Sequence, residues 1–214
     1  MLKLCLREPV PEIFEAAQLL SDAVSAHHAG QREKASDLIR RANMPAIREW
    51  TESLWGKGGP WTRPLPVKNP LPYLSKAARA QTRMPTSNEK KAVLARHIAR
   101  DGYHCCFCGI PIARVETRSA LHRLYPEALP WGSHNSEQHA GFQAIWVQYD
   151  HLIPHARGGT SELENIVITC GPCNFGRSNL TLEEAGLADP RLRASQRAKW
   201  GKKWDGLELI HKKL

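Results

Sequence analysis

The sequence predicts a mostly helical α+β protein whose central part is held together by a metal ion. Apolar residues recur with a helical period through the first 55 residues and again over 88–100. Two short segments, 145–150 and 166–169, are rich in aromatic or β-branched residues and are typical of strands. Two Cys-x-x-Cys pairs flank both strands, which indicates a metal site that joins distant parts of the chain.

The composition is that of an ordinary globular protein, with 214 residues, of which 42% are hydrophobic and 24% charged. This length suits one domain of moderate size or two small ones. Lys3 and Arg7 interrupt the first leucines, so no signal peptide is expected. No apolar run reaches the roughly 20 residues of a membrane span. We therefore expect a cytoplasmic protein that has no membrane partner.

The N-terminal region predicts three helices, over 11–29, 31–43 and 46–55, the first two forming a hairpin. Pro11 suits a first helical turn and Gly30 ends the first helix. We predict that residues 1–55 are a separate helical region, which could also dock a protein partner.

The rest of the chain divides by composition into a basic linker rich in Pro and Gly, a cysteine-containing domain and a basic tail. The predicted boundaries are 56–86, 87–187 and 188–214. Thr86 or Ser87 is expected to cap the helix over 88–100. An insertion at 109–149 predicts helices over about 114–124 and 136–144. Thr181 is expected to cap a short helix that Gly186 ends.

The positive charge is unevenly distributed. The formal net charge is +9, and segments 57–100 and 191–214 together hold 18 of the 30 basic residues and 3 of the 21 acidic ones. Basic runs are often only solvated surface, but two runs that flank one candidate site favour a nucleic-acid partner, with DNA preferred. In segment 57–100, the candidate contacts with the phosphate backbone of the nucleic acid are Lys90, Lys91, Arg96 and Arg100.

The four paired cysteines predict a structural zinc site. Cys105 with Cys108 and Cys170 with Cys173 each have the two-residue gap that lets both sulfurs reach one tetrahedral Zn²⁺. A reducing cytosol argues against disulfides, and buried unliganded cysteines are the alternative. Such a site has no open coordination position and is not itself catalytic.

Further motifs lie between and after the cysteine pairs. They comprise Asp150-His151 before Ile153-Pro154, a Gly158-Gly159 turn, Asn165 before an apolar strand, Asn174 directly after Cys173, and Arg177. In this order and spacing, the run from Tyr149 to Arg177 resembles the HNH nuclease family. The preceding Tyr-His-Cys-x-x-Cys-Gly is similar to the zinc-containing branch of that family, and the resemblance covers about residues 87–180.

The resemblance implies a fold of two antiparallel strands and a helix around one divalent metal. It also implies that His151 is the general base, that Asp150 and Asn174 are the metal ligands, and that Asn165 holds the loop and orients the base. Stand-alone members of the family often act in restriction or phage defence, so such a role is implied by analogy.

The chemistry of phosphodiester hydrolysis suits these residue types. A histidine can take a proton from water at neutral pH, and Mg²⁺ or Mn²⁺ accepts one or two protein oxygens. Neighbours on a regular strand point to opposite faces, so Asp150 and His151 can share one site only if the strand ends or bends there. Arg157, Arg177 and His155 are candidate phosphate contacts, and surface positions are the alternative.

Several histidines and tryptophans have weaker indications. His122, His134 and His139 could form another metal site within the insertion, although surface positions are favoured. The tryptophans are expected to pack between elements, because their spacing does not demand base stacking.

The sequence therefore predicts a metal-dependent DNA endonuclease with a structural zinc. The alternatives are a non-catalytic zinc-stabilised DNA-binding module and an RNA nuclease or processing factor.

Overall fold

The structure, a computed structural model, describes residues 2–55, 59–80, 84–195 and 203–212. The helices are α1 (Pro11–His28), α2 (Arg32–Arg41), α3 (Pro45–Trp55), α4 (Lys76–Ala80), α5 (Ser87–Asp101), α6 (Val115–Leu124), α7 (Ala140–Ile145), α8 (Gly171–Arg177) and α9 (Leu182–Ala185). The strands are β1 (Val147–His151) and β2 (Ile166–Cys170). The mostly helical α+β class is confirmed.

The predicted N-terminal hairpin is formed by α1 and α2. One face of α1 is fully buried, including Ile13, Ala17 and Leu20. Because these residues recur every three or four positions, they form one stripe that packs on α2. The two helices end within two residues of the predicted positions.

The third helix joins this hairpin to the cysteine-containing part, since α3 packs against both α7 and α8. A Cβ atom added at Gly176 of α8 would lie 3.1 Å from the carbonyl oxygen of Leu54 in α3. A Cβ added at Gly141 of α7 would lie 2.7 Å from the carbonyl oxygen of Ala42. Residues 2–55 therefore share one continuous hydrophobic core with the cysteine-containing part. A protein partner for this region stays a prediction.

The two strands and α8 form the expected ββα unit. Strands β1 and β2 are antiparallel, and their register pairs Val147 with Cys170 and His151 with Ile166. Helix α8 begins directly after β2, with Pro172 in its first turn, where a missing N–H costs nothing. Strand β1 ends at His151, within the Asp150-His151 pair, which meets the condition for the two residues to share one site.

The segment rich in Pro and Gly runs along the surface of this unit. The amide of Leu65 donates to the carbonyl oxygen of Glu184 at 2.7 Å, and the amide of Leu74 donates to the carbonyl oxygen of Ala156 at 2.8 Å. Two backbone hydrogen bonds thus tie the predicted linker to the predicted nuclease domain.

The capping predictions are confirmed at both helices. Thr86 and Glu89 form a capping box at the start of α5, and Thr181 and Glu184 form another at α9. Gly186 ends α9 in the left-handed conformation.

The second helix of the insertion begins later than predicted. Residues Asn135–Glu137 form a 3₁₀ turn, and α7 starts only at Ala140. The side chain of His139 accepts a hydrogen bond from the amide of Phe142 and so caps the helix at this point.

The basic tail packs on the insertion over the residues that the structure describes. The indole of Trp204 is buried and donates to the carbonyl oxygen of Ile112 at 2.8 Å. Trp200 lies outside the described residues. Within the described ranges, no helix is long and apolar enough to cross a lipid bilayer.

Candidate zinc centre and candidate nuclease site

The four predicted zinc ligands meet at one point. The sulfur atoms of Cys105, Cys108, Cys170 and Cys173 all lie within 4.8 Å of one another, and all four residues are buried. The sulfurs of Cys108 and Cys170 are 3.7 Å apart. Tetrahedral coordination at roughly 2.3 Å requires an S–S distance of about 3.8 Å, so this spacing fits Zn²⁺.

Local backbone geometry prepares both halves of this centre. The amide of Gly109 donates to the carbonyl oxygen of Cys105 at 3.0 Å, which closes a tight turn around the first pair. Gly109 has a φ of 77°, a conformation that glycine adopts without strain. Cys170 is the last residue of β2 and Cys173 lies in the first turn of α8, so the zinc would join the turn to the ββα unit.

The chemistry of the cluster also suits a soft dication. Burial raises the pKa of Cys170 well above that of a free thiol. Four thiolates cannot be held together in such a place without a compensating positive charge, and a soft dication supplies it. Among the described residues, no other group of three or more His, Cys, Asp or Glu side chains has this arrangement.

Helix α8 packs against β1, and its contacts are made by Trp146, just before the strand, and by alternate residues of the strand. The rings of Trp146 and Phe175 lie 5.9 Å apart, and Asn174 Nδ2 donates to Gln148 Oε1 at 3.3 Å. The next residue on the same face is Asp150. The contact between β1 and α8 therefore includes both predicted ligands of the catalytic metal, Asp150 of the strand and Asn174 of the helix.

Asp150 is paired with an arginine in this arrangement. Its carboxylate accepts from Arg177 Nε at 3.1 Å, and Arg177 Nη2 donates to the other oxygen. The two residues are 3% and 1% exposed. Burial raises the pKa of Asp150, and the guanidinium opposes that effect. The Arg177 guanidinium also donates to the carbonyl oxygens of His151 and Leu152, so it fixes the end of the strand.

His151 directly follows Asp150 and is the last residue of β1. It is half-buried, and its Nε2 is 3.1 Å from Ser161 Oγ. Its ring centroid is 6.2 Å from that of His155. Burial lowers the pKa of His151, and the nearby charges of His155 and Arg177 lower it further. The imidazole is therefore mainly neutral at pH 7 and can accept a proton.

Asn165 holds the loop that follows His151. Its Oδ1 accepts from the amide of Ile153 at 2.8 Å, and its Nδ2 donates to the carbonyl oxygens of Ile153 and Thr160. A Cβ at Gly159 would lie only 1.7 Å from the carbonyl oxygen of Ile153. The two backbone segments of the loop can therefore approach this closely only with glycine at position 159.

The two predicted arginine contacts are placed differently from the expectation. Arg157 is 8% exposed and pairs with Glu184 at 2.8 Å, while its guanidinium stacks 3.8 Å from the centre of the Tyr73 ring. Arg177 is enclosed with Asp150. A phosphate cannot reach either guanidinium in this arrangement, and we assign both arginines a structural role.

The remaining predicted contacts lie nearer to solvent. Lys90 and Lys91 are exposed on α5, and the Lys90 ammonium lies 5.9 Å from the centre of the Tyr149 ring in β1. Arg96 and Arg100 are also exposed but already have partners: Glu164 at 3.9 Å for the first and Asp101 at 2.6 Å for the second. The two lysines are therefore the better placed of the four to meet a phosphate.

The histidines of the insertion do not form a metal site. His139, for which a surface position was favoured, is fully buried. Its Nε2 is 2.8 Å from the carbonyl oxygen of Ile39, and its Nδ1 accepts from Phe142. His122 Nδ1 is 2.7 Å from the carbonyl oxygen of Leu129. These contacts use ring nitrogens that a metal would need.

The oxygen ligands have the right chemistry for a hard divalent cation, since one carboxylate and one amide oxygen suit Mg²⁺ or Mn²⁺. Arg177, however, already occupies the Asp150 carboxylate. Access of a cation to Asp150 thus requires that the guanidinium move away.

Residues 145–179 match the family described as HNH endonuclease. The matched segment runs from the end of α7 to just beyond α8, and the four clustered cysteines fit the zinc-binding branch of that family. Comparison with curated proteins and with solved structures gave no match. This match supports a nuclease or nucleic-acid-binding role.

Proposed function

We propose that this HNH domain is a metal-dependent endonuclease that hydrolyses phosphodiester bonds of DNA. The observation that carries the proposal is the position of His151 within the family match: half-buried on β1, in contact with Ser161, and followed by a loop that Asn165 holds. A fixed, mainly neutral imidazole beside a small loop is what a general base needs.

In this proposal, His151 takes a proton from the water that attacks the phosphorus atom. Ser161 orients the ring through its hydroxyl group, and Asn165 fixes the loop that carries the next residues. Asp150 and Asn174 would hold the divalent cation, which when bound supplies positive charge for the phosphate oxygens. Zinc at the four cysteines has a structural role only.

Capture of the polyanion depends on the basic flanks, because segment 101–190 is net negative. Exposed Lys90 and Lys91 lie on α5, whose side packs on the ββα unit. Contacts between lysines and the phosphate backbone of DNA carry little sequence information, so binding is salt-dependent and weakly selective.

The direct experiment is incubation of the zinc-containing protein with supercoiled plasmid, with and without added Mg²⁺ or Mn²⁺. The proposal expects nicked or linear products only when the divalent cation is present. A matched incubation with single-stranded DNA and RNA of the same sequence identifies the substrate class. Absence of any product with every nucleic acid and both cations would contradict the proposal.

A second candidate function is a non-catalytic, zinc-stabilised DNA-binding module. The observation that favours it is the Asp150–Arg177 pair, which neutralises the carboxylate that the catalytic cation would use. For this candidate, plasmid is bound but remains uncut, and affinity is the same with and without Mg²⁺. The family's roles in restriction and phage defence apply only to the first candidate.

A further inference from the structure

A pocket lined by aromatic residues lies beside α8, next to the candidate nuclease site. Its walls include Trp55 of α3, Tyr73, Trp146 and Phe175, and its volume is about 670 Å³. We call this the aromatic pocket. Phe175 directly follows Asn174, one of the two proposed ligands of the catalytic cation, so the pocket and the candidate site share the same helix.

The aromatic walls are partly open to solvent and are held in place. Phe175 is 44% exposed and Tyr73 is 60% exposed. Trp55 meets Phe175 edge to face at 5.7 Å, and Trp146 contacts it at 5.9 Å, so two indoles fix the phenyl ring from the side. Arg157, itself buried in its pair with Glu184, stacks on Tyr73.

Polar groups accompany these flat walls. Asn135, Gln138 and Asn179 also line the aromatic pocket, although the Gln138 amide is already hydrogen-bonded to Gly132 and Gln143. Amide groups donate and accept hydrogen bonds and can therefore meet the polar edge of a nucleobase.

We infer that the aromatic pocket binds an unstacked nucleobase of the strand that the candidate site engages. The inference rests on the proposed nucleic-acid substrate, and it adds to that proposal a place where one base leaves the stack. Exposed aromatic faces bind bases of any sequence by stacking, while the +9 net charge of the chain favours a polyanion over an apolar peptide. A strand that inserts a base beside Phe175 runs past Asn174.

The test compares two single strands of equal length, a thymidine oligonucleotide and an abasic oligonucleotide with the same phosphate backbone. Their affinities for the full zinc-containing chain are measured by fluorescence anisotropy without added Mg²⁺ or Mn²⁺. Phe175→Ala and Tyr73→Ala remove exposed rings. Leu192→Ala is the control, since Leu192 is 86% exposed and does not line the aromatic pocket.

We expect Phe175→Ala to weaken binding of the thymidine strand by about 5- to 100-fold, which corresponds to the stacking of one base. Its affinity for the abasic strand should equal that of the wild type, and Leu192→Ala should change neither. Equal affinity of wild type and both aromatic variants for the thymidine strand, or an equal loss on both strands, would overturn the inference. If Phe175→Ala lacks zinc or the circular dichroism of a helical protein, the same affinities are measured with Phe175→Leu and Tyr73→Ala instead.

Hydrolysis of bis(p-nitrophenyl) phosphate with Mn²⁺ separates this inference from the proposed nuclease. The small substrate reports phosphodiester chemistry without a base. A wild-type protein that binds the thymidine strand through Phe175 but hydrolyses neither this substrate nor DNA would contradict the nuclease and leave the base pocket standing. A wild-type protein that hydrolyses this substrate but binds the thymidine and abasic strands equally would support the nuclease and contradict the base pocket.

Discussion

The guanidinium of Arg177 and the carboxylate of Asp150 form a two-point ion pair inside the protein, with Arg177 Nε 3.1 Å from Asp150 Oδ2. The pair links the helix of the ββα unit to its first strand across 27 positions of the chain. It also stands at the residue that the family resemblance assigns to the catalytic cation.

Removal of one partner of this pair should destabilise the fold strongly. Arg177→Gln leaves Asp150 buried without its counterion, and we expect the free energy of unfolding to fall by about 3–5 kcal/mol. Urea unfolding followed by circular dichroism measures the loss. The double variant with Asp150→Asn should recover a large part of it, because the buried charge is then gone.

Arg191→Gln is the matched control for that measurement. Its pair with Asp189 is also formed at 2.6 Å, but the arginine side chain is 46% exposed. The expected loss is about 0–1 kcal/mol. Equal losses for the two arginine variants would contradict a structural role for the buried pair.

The zinc centre should control folding. Cys173→Ser removes one of four ligands, and the variant is expected to lose zinc and to become aggregated or unfolded, because the metal joins two cysteine pairs that are distant in sequence. Elemental analysis of purified protein measures the zinc content. Cys106→Ser is the control, since this buried thiol lies outside the four-sulfur cluster. Pure, folded and zinc-free wild type would contradict the assignment.

His139 should make stability depend on pH. Burial, with a smaller contribution from the nearby charge of Arg48, lowers its pKa from 6.5 to about 4. The unfolded chain therefore takes up this proton near pH 6.5 while the folded chain does not, so stability present above pH 6.5 is lost as the pH falls towards 4. The full contribution is up to about 3 kcal/mol.

The measurement is urea unfolding of the wild type and His139→Gln between pH 7 and about pH 4.5, a range that avoids full protonation of the carboxylates. The variant should be less stable than the wild type at pH 7, and the difference should shrink as the pH falls. A difference that stays constant over this range would show that His139 titrates alike in both states.

The exposed lysines of α5 should contribute to capture of DNA. Neutralisation by Lys90→Gln with Lys91→Gln is expected to weaken binding of all sequences alike and to reduce the log–log salt slope by about 2. Anisotropy titrations with duplex DNA at several salt concentrations measure it. Arg100→Gln is expected to change the slope less, because Arg100 already pairs with Asp101. An unchanged slope in the double lysine variant would identify these residues as solvated surface only.

The sequence predicted the parts of the fold that local signals determine. The cysteine spacing, the strands, and the capping residues Thr86 and Thr181 were enough to place the zinc centre and the helix starts, because each depends on residues close together in the chain. The burial of the stripe on α1 followed from its helical period in the same way.

Long-range pairing could not be predicted in this way. Arg177 and Arg157 each meet a carboxylate 27 positions away, and a sequence shows only that an arginine follows a motif. His139 is buried because its ring meets Ile39, 100 positions earlier. The aromatic pocket was missed for the same reason, since Trp55 and Phe175 come together only when α3 packs on α8.

Plasmid cleavage by His151→Ala tests the central claim most directly, with His155→Ala as the matched control. His155 lies on the same loop with its ring 6.2 Å from that of His151, but the proposal gives it no part in proton transfer. With Mg²⁺ or Mn²⁺, His151→Ala should cut roughly 10²–10⁴-fold more slowly than the wild type, while zinc content and DNA affinity stay unchanged. Cleavage by His151→Ala at the wild-type rate would contradict the account.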